Sequence, residues 1–195
     1  MTSIEEIKEQ LRKRYSINEK DGIIYHCTNV KKIILRNKNQ NALILTVGVQ
    51  GAGKTTFCEK NFTDFTIVNL DNILKEYLIN HDEPFCQEVN EKVNLIFFDR
   101  IKEGLKNGIT VADAGCVDIQ VRLGILEYLR DYYTKSVLVV LNPSKSTILT
   151  HIKQQIEQRW TPSLWTDVDN EYENLQFQIK KGILPIGVNE VYMFR

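Results

Sequence analysis

Gly48-Val49-Gln50-Gly51-Ala52-Gly53-Lys54-Thr55 follows the pattern G-x-x-x-x-G-K-[ST]. The apolar run 42–47 (ALILTV) precedes it, and Thr56-Phe57-Cys58-Glu59-Lys60 continues beyond it. Strand, glycine-rich turn and helix in that order are the context that makes the pattern a phosphate-binding loop. Glycines reach backbone shapes closed to other residues and leave room for a phosphate. Successive N–H groups and the positive end of the new helix then face the anion. The spacing assigns Gly48, Val49, Gln50, Gly51, Ala52, Gly53, Lys54, Thr55 and Thr56 to nucleotide binding. Lys54 supplies a point charge to the β- and γ-phosphates, and Thr55 a hydroxyl to Mg²⁺.

Working outward, apolar runs alternate with helical periodicity. FTIVNL at 65–70 ends against Asp71, ITVA at 109–112 ends against Asp113, and SVLVVL at 136–141 is continuously apolar, as buried parallel strands are. EVYMF at 190–194 is a last strand. Amphipathic helices are expected over 72–79, 87–106, 118–133, 146–158 and 167–181, the last stopped by Gly182. The class is therefore α/β, with a mainly parallel five-stranded sheet flanked by helices. In such a sheet the C-terminal strand ends share one edge, where ligands bind. The phosphate loop, Asp71 and Asp113 all sit at such ends, so separate strands deliver polar residues to one crevice.

Residues 1–40 form a modestly basic N-terminal extension to the main domain at 41–195. Ser3 and Glu6 fit a capping box opening a helix over 3–16. The runs Ile23-Ile24-Tyr25 and Ile33-Ile34-Leu35 suit either a hairpin or a strand followed by a helical turn.

The chain of 195 residues has 25 basic and 25 acidic side chains. Zero formal charge argues against a globally basic nucleic-acid binder and leaves room for a local basic groove. Cys27, Cys58, Cys86 and Cys116 form no C-x-x-C pair, and His26, His81 and His151 have no metal-ligand spacing. With no apolar signal core and no run of transmembrane length, the expectation is a soluble cytoplasmic protein of undetermined oligomeric state.

GVQGAGKTT, then VNLD, then VADAG with an arginine nine residues after its aspartate, then QRWTP, together resemble the polynucleotide-kinase-like and zeta-toxin-like P-loop kinases over about residues 42–195. The resemblance implies a P-loop NTPase fold and transfer of the γ-phosphoryl of ATP or GTP, with Mg²⁺, to a hydroxyl acceptor. Carried over, Asp71 engages the acceptor hydroxyl and, with Lys54 and Arg159, is catalytic. Asp113 is an acceptor or Mg²⁺ contact, Arg122 lies near the acceptor, and Arg159 is the lid arginine that neutralises the transferring phosphoryl. Three departures stand out. Leu74 occupies the place of an arginine usual after Asp71, Cys116 replaces an asparagine, and Arg159 is the single arginine between His151 and Asp167. The implied acceptor is first a polynucleotide or nucleotide 5′-hydroxyl. Second comes a small metabolite, such as a nucleoside, a sugar nucleotide or an antibiotic. An NTP-binding regulatory ATPase that phosphorylates nothing is a third reading.

Overall fold

The computed structural model describes residues 3–18, 20–26, 29–82, 84–157 and 167–194. Its centre is β2 (Ala42–Val47), buried along its whole length, with β5 (Lys135–Leu141) on one side and β4 (Thr110–Asp113) on the other. Beyond β4 lies β3 (Thr66–Asn69); beyond β5 lie β6 (Glu190–Phe194) and then β1 (Ile23–His26). The order is β1-β6-β5-β2-β4-β3, and every neighbouring pair is parallel.

Helices cover both faces: α1 (Ile4–Arg14), α2 (Lys31–Asn37), α3 (Lys54–Asn61), α4 (Leu70–His81), α5 (Gln87–Leu105), α6 (Ile119–Tyr128), α7 (Lys145–Glu157) and α8 (Val168–Lys181). One face of the sheet packs Leu43, Leu45, Leu138 and Val140 against α5 residues Val93, Phe97 and Ile101. The other packs Ile44, Val111, Val137 and Val139 against Cys58 and Phe62 of the α3 region and Ile33 of α2. The strand alternation thus divides one apolar run between two cores, which is why β2 and β5 carry no polar face.

Among the described residues the sheet has six strands where the motifs at 42–194 predict five. The extra strand is β1, and the 22–36 stretch resolves as strand then helix. Its apolar residues gave no face to read because β1 is a short edge strand with Ile23 61% and Ile24 40% exposed. Its partner β6 lies at the far end of the chain. Tyr25 stacks on Tyr192 with ring centroids 5.0 Å apart, Arg36 lies over the Tyr25 ring, and Ile33 is fully buried. The capping box at Ser3 forms as expected, with Glu6 N–H donating to Ser3 Oγ and Ser3 N–H donating to Glu6 Oε2.

Candidate active site

Gly51 and Gly53 shape the phosphate loop. Both have left-handed backbones, with φ of 80° and 84°. A Cβ on Gly51 would also come within 2.8 Å of Ile152 Cγ1 and 3.0 Å of Ile148 O on α7, so only glycine fits there. Gly53 opens α3 with no side-chain cap, leaving the first N–H groups of that helix for an anion. Val49 and Ala52 turn their side chains down into a small apolar cluster with Leu141 and Ile148, which anchors the loop and leaves their backbone toward the cleft. On the α7 side, His151 Nδ1 lies 2.8 Å from Gly51 O; a carbonyl only accepts, so Nδ1 carries the proton.

Lys54 Nζ donates to Gly48 O at 2.8 Å and Val49 O at 3.1 Å. Burial pushes its pKa below the ordinary lysine value, although Asp113, Glu171 and Asp71 oppose that fall. An entering polyphosphate would reverse the penalty by giving the ammonium an anionic partner.

Register brings the next group together. Asn69 at the end of β3 pairs with Asp113 at the end of β4. Asp113 is 4% exposed and accepts from Thr46 Oγ1 at 2.8 Å, Thr55 Oγ1 at 2.8 Å and Asn69 Nδ2 at 2.7 Å. Asn69 also accepts from Asn72 N–H at 2.8 Å and so caps α4. That leaves Asp71, in the first turn, without the capping duty such an aspartate usually has. Burial, and then the like charge of Asp113, raise the Asp71 carboxyl above the usual carboxylate value, while one side of the residue stays open to solvent. Thr55 and Asp113 form a hard oxygen pair at the foot of the loop, the donor chemistry that suits Mg²⁺ at a polyphosphate.

These residues line one cleft of about 520 Å³, walled by the phosphate loop, Thr55, Thr56, Asn69, Asp71 and Asp113. Cys116, Asp118, Gln155 and Glu171 complete its polar wall. Sequence reasoning missed Asn69, Gln155 and Glu171 as lining residues. Asn69 had a local signal, a capping residue before a helix; the other two arrive through packing of α7 and α8.

Arg122 is a correction. Expected beside the acceptor, it is completely buried and lies outside the cleft lining. Its guanidinium donates to Cys116 O at 3.0 Å and Gln178 Oε1 at 3.0 Å, and Gln178 Nε2 donates in turn to Val117 O at 2.8 Å. Burial lowers its pKa to about 10. It therefore ties the 114–118 loop to α8 from behind. Burial also pushes the Cys116 thiol up to about 11, an inert rather than nucleophilic state. Arg159 and both tryptophans fall outside the described residues.

Residues 43–170 match the family model described as AAA domain. The search of curated proteins finds no match. Among solved structures, the fold is similar to a chain of the Pnkp1/Rnl/Hen1 RNA repair complex, with a TM-score of 0.58 and 18% identity over 72% of this chain and 45% of that one. The chain thus spans less than half the length of that neighbour. It is also similar to a candidate kinase from Chloroflexus aurantiacus j-10-fl, with a TM-score of 0.58 and 13% identity over 78% of this chain and 86% of that one. At these identities the likeness is one of fold, and that fold is the P-loop kinase-like one.

Proposed function

Because the chain belongs to the AAA domain family matched over residues 43–170 and has a P-loop kinase fold of the polynucleotide-kinase-like type, we propose that it transfers the γ-phosphoryl group of a nucleoside triphosphate to an acceptor hydroxyl. The observation that carries this reading is the single cleft in which Lys54, Thr55, Asp113 and the uncommitted carboxylate of Asp71 meet at the phosphate loop. A nucleotide switch needs the loop and a Mg²⁺ site. It has no use for a second, charge-strained carboxylate facing the phosphates.

The loop amides and the α3 N-terminus would hold the phosphates, and Lys54 would exchange its carbonyl partners for β- and γ-oxygens. Thr55 and Asp113 would hold Mg²⁺, which supplies charge neutralisation to the phosphates when bound. Asp71 would accept the proton of the acceptor hydroxyl and aim its oxygen at the γ-phosphorus, its raised pKa making it a better base than an ordinary aspartate. Arg159 is the candidate for neutralising the transferring group.

For the acceptor, the motifs suggest a polynucleotide or nucleotide 5′-hydroxyl, and the RNA repair complex among the structural neighbours is in keeping with that. The second reading is a small hydroxylated metabolite, favoured by the charge of the cleft. Among the described lining residues, four carboxylates (Asp71, Asp113, Asp118 and Glu171) face one ammonium, Lys54. Asp71 and Asp118 both line the cleft beside the phosphate loop, and they would repel a polyanionic strand. Transfer of labelled γ-phosphate to a panel of 5′-hydroxyl oligonucleotides, nucleosides and sugar nucleotides tests both. Labelling of oligonucleotides alone selects the first, and labelling of small compounds alone the second. Nucleotide binding with no labelled product from any acceptor leaves the regulatory ATPase.

A further inference from the structure

We propose that Gln155 reads the nucleobase and makes this site select adenine nucleotides over guanine nucleotides; this rests on the reading of the cleft as a nucleoside triphosphate site. Gln155 lines the cleft from α7, and its Oε1 is buried with no hydrogen-bond partner among the described residues. A buried acceptor without a donor is unfavourable, and a ligand that brings a donor relieves it.

The sheet order says which part of the nucleotide lies there. α7 leaves β5, on one side of β2, whereas Asp71 follows β3 and Asp113 ends β4, on the other side. The phosphate loop, emerging from β2, sits between them. A γ-phosphoryl group directed at Asp71 therefore sends the nucleoside toward α7. That helix is held against the loop by His151 on Gly51 O and by Ile152 at Gly51 Cα. Gln155 is one helical turn beyond His151 on the same face, and it lines the cleft from the α7 side.

The chemistry then favours one base. Adenine presents its 6-amino donor beside the N7 acceptor, a pair that an amide matches with Oε1 and Nε2; guanine puts the O6 acceptor where the amine would be. Oε1 would meet a like acceptor and stay unsatisfied.

The test is equilibrium binding of ATP, GTP and purine riboside 5′-triphosphate, which lacks the 6-amino group, to the whole protein and to Gln155→Leu. The wild-type protein should bind ATP about 10-fold or more tightly than either of the others. Gln155→Leu should bind ATP as weakly as purine riboside triphosphate, whose own affinity is unchanged, with a thermal melt confirming the fold. Gln155→Glu, which keeps an acceptor, should retain part of the ATP preference. Equal wild-type affinity for all three nucleotides, or a preference for GTP, overturns the assignment while leaving the triphosphate site intact. An equal loss for all three in Gln155→Leu also overturns it, pointing to a sugar or phosphate contact. Failure of the wild-type protein to bind any triphosphate removes the underlying site reading as well.

Discussion

Lys54, Asp71 and Arg122 carry charge in different surroundings, and their substitutions should separate accordingly. Lys54→Ala removes charge-assisted contacts worth roughly 1.5–3 kcal/mol each, so ATP affinity should fall at least 10-fold and turnover should vanish in a folded protein. Unchanged affinity by calorimetry would refute the site. For Asp71 the signs oppose. Its folded pKa is raised, so stability is lost as pH rises through the window above the unfolded value, and at neutral pH the ionised carboxylate is a net cost. Asp71→Asn should therefore raise Tm at pH 7 while lowering kcat on the order of 10²-fold, with ATP affinity nearly unchanged. A lowered Tm with normal turnover would make Asp71 structural. Arg122→Ala should behave as a core lesion. It leaves Cys116 O and Gln178 Oε1 without their donor, and costs about 3 kcal/mol or more in urea unfolding. Had Arg122 met the acceptor directly, the same substitution would raise KM with stability intact.

At the scale of elements, the helices around the cleft carry different expectations. α4 is set by Asn69, whose amide both caps the helix and holds Asp113, so a single residue fixes the spacing of two strand ends. α7 and α8 flank residues 158–166, where both tryptophans of the chain occur. A segment that closes over a phosphoryl group to exclude water must open again to release product. Addition of Mg²⁺ and ATP should therefore change tryptophan fluorescence, with no background from elsewhere in the chain. Arg159→Lys keeps the charge but loses the planar fork, so it should lower kcat more than ATP affinity. A ligand-independent emission spectrum together with wild-type turnover would discard both ideas, and Lys153 on α7 would become the next candidate for the charge.

For the whole molecule, the distinctive feature is how the first forty residues meet the last strand. Glu190 accepts from Lys135 Nζ at 2.9 Å and from the Tyr192 hydroxyl at 2.8 Å, and Arg36 of α2 lies 3.6 Å away. Burial pushes its carboxyl up, but the hydrogen bonds from Lys135 and Tyr192 and the nearby cations more than offset that and hold it below the usual glutamate value. Its stabilisation is therefore complete above about pH 4.3, the unfolded value, and is lost as pH falls through the folded one. Glu190→Gln should flatten the acid limb of a Tm-against-pH profile. Deleting residues 1–40 removes β1, the Arg36 charge and the buried Ile33, whose burial alone is worth roughly 1.5–3 kcal/mol. The shortened chain should melt several degrees lower; an unchanged Tm would make the extension a separate appendage.

What the sequence by itself determined is whatever depends on neighbours in the chain. The phosphate loop is legible because left-handed glycines, a lysine and a threonine must stand at fixed spacing after a strand. The strands β2, β3, β4, β5 and β6 are legible because parallel buried strands are continuously apolar and end in polar residues. Asp71 and Asp113 were visible at those ends, and the parallel sheet gathered them. What only the tertiary structure decided depends on residues far apart. β1 is a strand because β6 pairs with it, since its own exposed side chains carry no periodic signal. Arg122 is a brace because α8 brings Gln178 to it, and nothing in the spacing from Asp113 distinguishes a guanidinium that enters a cleft from one that passes behind it. Gln155 and Glu171 join the site because α7 and α8 pack beside the loop, and burial of one amide oxygen is a property of that packing rather than of any local pattern. Local sterics and periodicity act over a few residues, whereas desolvation and pairing are set by whatever the fold places opposite.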